Sequence, residues 1–238
     1  MPARSSITLS TDRFDIDGLE LVARRHPRAR RCKLRYDGER DRLLLTLPPR
    51  ASLKRAKSWA AGQRAWIADQ RAKRAAPLPL VPGAQIPFHG EALILHHDPG
   101  ASRAPRHEGD RLVIGGPAQS FSRRAEQWFK AQAAAMLAED VARCAAMAGV
   151  EVEAIAVGNA RTRWGSCSAS GMLRFNWRLI CAPDAVRRYV AAHEVAHRRH
   201  MDHGRAFHAL EEELYGGSVE AARRQLLALG PGLQRIGR

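Results

Sequence analysis

The chain has 238 residues, 45% of them apolar and 26% charged, which allows a buried core and argues against a disordered or fibrous protein. A net charge of +15 and a pI near 11.0 point either to polyanionic partners (nucleic acid through a basic surface, an anionic membrane face or an acidic protein) or to a solvated basic surface, for Arg is scattered along the chain. The opening Met1-Pro2-Ala3-Arg4-Ser5-Ser6 has no signal-peptide core, and no apolar run reaches the ~18 residues of a membrane helix, so the expectation is a soluble, cytoplasmic chain with no membrane partner.

Short strands are expected at Ile7 to Ile16, Leu19 to Arg24, Cys32 to Tyr36 and Leu43 to Leu47, with Asp17-Gly18 and Asp37-Gly38 as turns. Pro48-Pro49 closes this block. Ala51 to Ala75 reads as one helix anchored by Trp59, Trp66 and Ile67. Pro77, Pro79 and Pro82-Gly83 then mark a break, which divides the chain into 1–83 and 84–238. Ile86 to His97, split by His89-Gly90, resembles a hairpin, and Arg111 to Ile114 is a further strand. Phe129, Ala133, Leu137, Val141, Cys144 and Ala148 recur at helical spacing within Ser122 to Ala148, and Gly149 ends that helix. Val152 to Val157 and Met172 to Ile180 read as strands around a polar loop from Gly158 to Gly171. Helices follow from Pro183-Asp184, at Ala206 to Tyr215 and at Ser218 to Leu229. Asp184 is placed to cap the first of these three.

The helix from Asp184 carries His193-Glu194-Val195-Ala196-His197, an HExxH pattern. Residues four apart share a helix face, so both imidazoles can reach one metal ion. Glu194 borders that face without coordinating, placed to act on a metal-activated water. A catalytic zinc takes three protein ligands and keeps one position open. His203 is the favoured third ligand. Glu211, Glu212 and Glu213 are rivals, although three consecutive acids more often make a solvated helix face. His200 is excluded on a continuous helix, because it would stand ~10.5 Å from His193 along the axis. It reads instead as a helix-terminal residue tolerant of left-handed geometry, and His208 as surface or supporting. The spacing to His203 is that of metzincins, but His200 replaces their glycine and no Met follows Met201.

The four cysteines, Cys32, Cys144, Cys167 and Cys181, form no CxxC pair, which leaves free thiols as the expectation and disfavours a structural zinc knuckle. Cys167 has only serines beside it and no base, so it is not read as a nucleophile.

Arg161-Thr162-Arg163-Trp164-Gly165-Ser166-Cys167-Ser168 precedes Gly171, Phe175-Asn176, Leu179, Pro183 and Tyr189-Val190, and HEVAH is followed by Asp202-His203 and Phe207. This order resembles the YgjP-like metallopeptidase-domain family, relatives of the SprT-like zinc proteases. The resemblance covers about Val157 to Phe207. It implies an α+β fold: a zincin-like, minigluzincin-type catalytic core of helices packed on a small sheet at 84–238, after a β-rich N-terminal region with a helix at 1–83. It also implies Zn2+ held by His193, His197 and His203, with Glu194 as general base in hydrolysis of a protein or peptide substrate. The family usually has Trp after the phenylalanine, where this chain has His208. SprT-like relatives are linked to repair of DNA–protein crosslinks, and the +15 charge is compatible with such an association.

The Trp164 loop has two readings, a substrate-lining one and a structural one, and the structural one is preferred. Trp164 and Arg163 could line a substrate cleft, with Asn176 ordering the loop; alternatively Trp164 is buried beneath the motif helix and Gly165 relieves backbone strain. Arg163, His208 and Tyr215 are candidates to stabilise an oxyanion. The rival to an enzyme is a basic nucleic-acid-binding module whose zinc is structural or vestigial. A structural site would need a fourth protein ligand, and none is evident.

Overall fold

The computed structural model describes residues 11–16, 18–38, 40–72, 76–160 and 162–238. The chain divides into two compact units, Met1–Ala75 and Ala76–Arg238. Ile7 to Ser10 of the first expected strand, Asp17 of its turn, Lys73 to Ala75 of the first expected helix, and Arg161 lie outside the described residues.

In the first unit, β1 (Thr11–Ile16), β2 (Leu19–Arg25), β3 (Lys33–Asp37) and β4 (Arg42–Leu47) form a sheet in the order β1-β2-β4-β3. β2 and β4 run parallel, and the other pairs antiparallel. Alternation sends Leu19, Leu21 and Ala23, and Leu43, Leu45 and Leu47, into one core. Ala56 and Ala60 of α1 (Leu53–Ala61) and Ile67 of α2 (Arg64–Ala72) cover it. The helix expected from 51 to 75 is therefore two helices. They part at Gly62-Gln63, where glycine weakens helical continuity by about 1 kcal/mol.

In the second unit, β5 (Gln85–Phe88) and β6 (Glu91–His97) pair across His89-Gly90, both with positive φ. With β7 (Arg106–Glu108) and β8 (Arg111–Ile114) they make a sheet ordered β5-β6-β8-β7. β7 was not foreseen; its residues, Arg-His-Glu, are exposed and lack apolar alternation. α3 (Phe121–Ala148) buries Phe121, Ala125, Phe129, Ala133, Leu137, Val141, Cys144 and Ala148 along one stripe, and Gly149 ends it in the left-handed conformation.

A smaller sheet, ordered β10-β11-β9, contains β9 (Ala154–Gly158), β10 (Gly165–Cys167) and β11 (Met172–Asn176). Two expectations are corrected here. The polar loop from Gly158 to Gly171 contains the strand β10, which is held by pairing with β11 and not by apolar pattern. The strand expected to reach Ile180 stops at Asn176. There the side-chain Oδ1 accepts the Arg178 N–H and starts a 3-10 turn over Trp177–Cys181.

Three helices complete the unit: α4 (Asp184–Ala196), α5 (Arg205–Tyr215) and α6 (Val219–Leu233). α6 runs past its expected end at Leu229, with Pro231 inside it. Asp184 does not cap α4. Its carboxylate binds His89 Nδ1 and Arg187 Nη1 instead. Burial alone would raise that carboxyl, but His89 and Arg187 outweigh it and hold it below the usual range.

Arg187 ties α4 to α3 through Nε, which donates to Asp140 Oδ2 at 2.8 Å; the two side chains are only 2% and 6% exposed. Arg187→Ala would leave the buried Asp140 carboxylate with only the longer contact to Arg143 Nη2 at 3.5 Å. The expected loss is about 3–5 kcal/mol of stability, measurable by urea unfolding. Across the described residues the architecture is α+β, as expected from the sequence.

Candidate metal centre

α4 presents His193 and His197 one turn apart. The helix ends at Ala196, and His197 is its C-cap. Arg198, Arg199 and His200 then turn the chain, their N–H groups returning to Val195 and Ala196 carbonyls. His200 has no positive φ, so the left-handed geometry expected of it is absent. Its carbonyl instead accepts from His197 Nδ1 at 3.0 Å and so orients that ring. The loop returns through His203, and Gly204 begins α5.

His193, His197 and His203 each offer a ring nitrogen, and the three atoms lie within 4.8 Å of one another. His193 Nε2 and His203 Nε2 are 3.4 Å apart. Two nitrogens ~2.1 Å from a tetrahedral zinc would stand about 3.4 Å apart, so this pair already has the spacing of co-ligands. A carbonyl and a carboxylate can only accept, so Nδ1 of His197 and of His193 is the protonated nitrogen and Nε2 keeps its lone pair. Phe207, fully buried at the start of α5, lies under all three rings, with centroids 5.1, 4.6 and 4.7 Å from His193, His197 and His203. The donor set thus suits a borderline-soft divalent ion. Burial holds the His197 imidazole below its ordinary pKa.

Glu211, a rival ligand in the sequence, stands on the far side of His193. Its Oε1 accepts from His193 Nδ1 at 2.7 Å and its Oε2 from His208 Nδ1 at 3.1 Å. Burial would raise its carboxyl; the two imidazole hydrogen bonds outweigh this and leave it below the usual range. Glu212 and Glu213 are exposed. His208 supports Glu211 and is not in the histidine trio.

Glu194 is 5% exposed. Burial pushes its carboxyl up to about 7, with His193 and Arg163 opposing the rise. It shares a cleft of about 250 Å³ with His193, Thr162, Arg163, Trp164, Tyr189 and Leu226. Trp164 is half-buried: it lines this cleft and also packs against the core, so the two expected roles are not exclusive. Gly165 has no positive φ to relieve. Its significance is steric, because an added Cβ would stand 2.4 Å from Glu194 Oε1. Asn176 orders the loop as expected, its Nδ2 donating to Ala160 O at 2.7 Å and its N–H to Trp164 O at 2.9 Å. Arg163 lines the cleft, whereas Tyr215 packs against Tyr189 with ring centroids 5.9 Å apart. The sequence did not reveal Tyr189 as a cleft residue or Glu211 as a histidine anchor. The four cysteines are free.

Three converging imidazoles beside a buried carboxylate are the equipment of a metal-dependent hydrolase. Residues 30–228 match the family described as YgjP-like, metallopeptidase domain, and the chain belongs to that family. It is a metallopeptidase, and its substrates are proteins or peptides. Among solved structures, the crystal structure of the metallopeptidase zymogen of Pyrococcus abyssi abylysin is similar at 16% identity and a TM-score of 0.36, covering 42% of this chain and 97% of that one. No protein of curated function matches. The second unit sets the motif helix beside the small sheet.

Proposed function

We propose that the protein is a zinc endopeptidase, with zinc held by His193, His197 and His203 and Glu194 as general base. The observation that carries this reading is the convergence of the three imidazole nitrogens next to the buried Glu194 carboxylate. When bound, zinc supplies Lewis acidity, polarising the scissile carbonyl and making water nucleophilic near neutral pH. Glu194 accepts the proton of the attacking water on a carboxylate oxygen and returns it to the leaving amine. Trp164, Tyr189 and Leu226 form an apolar wall that positions substrate and limits water entry, and Arg163 is the candidate to stabilise the developing oxyanion.

The test is zinc analysis of the purified protein paired with casein cleavage before and after chelation. The proposal expects about one zinc per chain and activity that is lost with chelator and restored by zinc. A metal-free protein that cleaves casein at full rate would overturn it.

Glu211 fixes the His193 tautomer, so Glu211→Gln weakens zinc binding by about 10–100-fold in a competition titration, without removing a ligand.

The rival, a nucleic-acid-binding module with a structural zinc, lacks a fourth ligand: the histidine trio is the one qualifying cluster among the described residues. Nucleic-acid association as a property added to the peptidase is favoured by the basic charge. The proposal also includes kinship with the SprT-like zinc proteases, and a cytoplasmic location, which the free cysteines support. No described helix is long and apolar enough to cross a membrane.

A further inference from the structure

The positive charge is not shared evenly between the two units. The first 75 residues carry 19 Lys and Arg against 8 Asp and Glu, a net +11; the remaining 163 carry 20 against 16, a net +4. The histidine trio and Glu194 all lie in the second unit, so most of the excess charge is carried by the unit that does not hold them.

Within the first unit, the segment joining β2 to β3 and the start of β3 line a groove of about 660 Å³. Arg28, Arg30, Arg31 and Lys33 border it, with Thr46 of β4 and Trp59 of α1. The four cations are exposed, and among the described residues none has a carboxylate within ion-pair distance. Arg13 and Arg42, on the same sheet, are paired with Glu20 and Asp37. The segment is held in place: His26 N–H donates to Leu47 O at 2.9 Å, Ala29 N–H to His26 O at 3.0 Å, and Arg28 N–H to His26 Nδ1 at 3.2 Å. The groove therefore presents its cations from an ordered turn, which lowers the entropic cost of binding.

Trp59 is the second observation. It is 44% exposed and is not among the residues of this unit's core. An exposed indole in the wall of a basic groove offers a stacking face beside phosphate-binding guanidinium groups. A duplex keeps its bases stacked and withholds their faces; a single strand does not. A bilayer surface offers headgroup phosphates but no base faces on which an indole can stack. We propose that the first unit is a single-stranded nucleic-acid grip, with Arg28, Arg30, Arg31 and Lys33 binding phosphates and Trp59 stacking on a base. The proposal rests on the nucleic-acid reading of the basic charge and not on the zinc chemistry, so either can fail alone.

The test uses the full chain and a fluorescein-labelled dT20 oligonucleotide, followed by anisotropy and tryptophan quenching. Four phosphate contacts give a log–log salt slope of about −3, or roughly 50-fold weaker binding at 200 mM than at 50 mM salt. Trp59→Ala is expected to weaken binding roughly tenfold and to reduce the quenching. Arg30→Glu with Arg31→Glu is expected to weaken it at least as much, with casein cleavage and circular dichroism unchanged. Arg28→Ala alone gives a smaller loss and a shallower slope, which checks the site should the double variant misfold. The idea is overturned by no binding at 50 mM salt, by full binding in both Trp59→Ala and the Arg30/Arg31 variant, or by duplex of equal length binding as tightly. Binding to phosphatidylglycerol vesicles or to poly-glutamate without binding to dT20 overturns it equally.

Discussion

Glu194→Gln is expected to lower peptidase kcat by roughly 10²–10⁴-fold while the protein keeps its zinc. Gln has the shape of Glu but cannot take a proton from water at neutral pH. Glu194 lies one residue from His193 but outside the trio of converging nitrogens, so the change leaves the ligand set intact. It also places a neutral group in a site only 5% exposed, where an ionised carboxylate is costly, so stability should hold or rise slightly. His197→Ala is the contrasting variant. It removes one of the three converging nitrogens and a ring packed on Phe207, so metal and activity are expected to be lost together. Initial rates on a fluorogenic peptide and metal content by mass spectrometry, measured on the same preparations, separate the two. Unchanged cleavage by Glu194→Gln would remove Glu194 from the mechanism.

The sequence made the centre legible where the code is local. HExxH spacing depends only on 3.6 residues per turn, so His193 and His197 could be placed without knowing the fold. His203 needed the added idea that the chain turns back, which it does through hydrogen bonds at Arg198 to His200. The long apolar stripes of α3 and the alternating leucines of β2 and β4 were readable for the same reason. What stayed hidden depends on contacts distant in sequence. β10 is three residues long and has no pattern of its own; only pairing with β11 makes it a strand. Glu211 stands eighteen residues from His193 in an acidic run that looks like a solvated face, yet it is 2% exposed. Asp140 and Arg187 have the letters of surface residues and meet in the core, 47 positions apart. A charge buried with its partner leaves no trace in hydropathy.

Gly165→Ala is expected to lower kcat about 100-fold with little loss of zinc, and its cause is purely geometric. β10 passes so close to α4 that an added Cβ would lie 2.4 Å from Glu194 Oε1, 2.6 Å from its Cγ and 2.8 Å from its Cδ. Such distances are closer than van der Waals contact allows, so something must move. The backbone of Gly165 is held by pairing with Phe175 in β11, and the backbone of Glu194 is held inside a buried helix. The Glu194 side chain is the softest member, and rotating it carries the carboxylate away from the attacking water. A displacement near 1 Å at a reacting group costs on the order of 100-fold in rate. The three atoms nearest the added Cβ all belong to Glu194 and none to the histidine trio, so metal affinity should change far less than kcat. Gly165→Ala should therefore resemble Glu194→Gln in activity and metal content while retaining the carboxylate. Adding Gly165→Ala to Glu194→Gln should cause little further loss, because both act on the same step. Fully additive losses in the double variant would show that Gly165 serves the cleft in some other way. Wild-type kcat in Gly165→Ala would show that the carboxylate has room the structure does not provide.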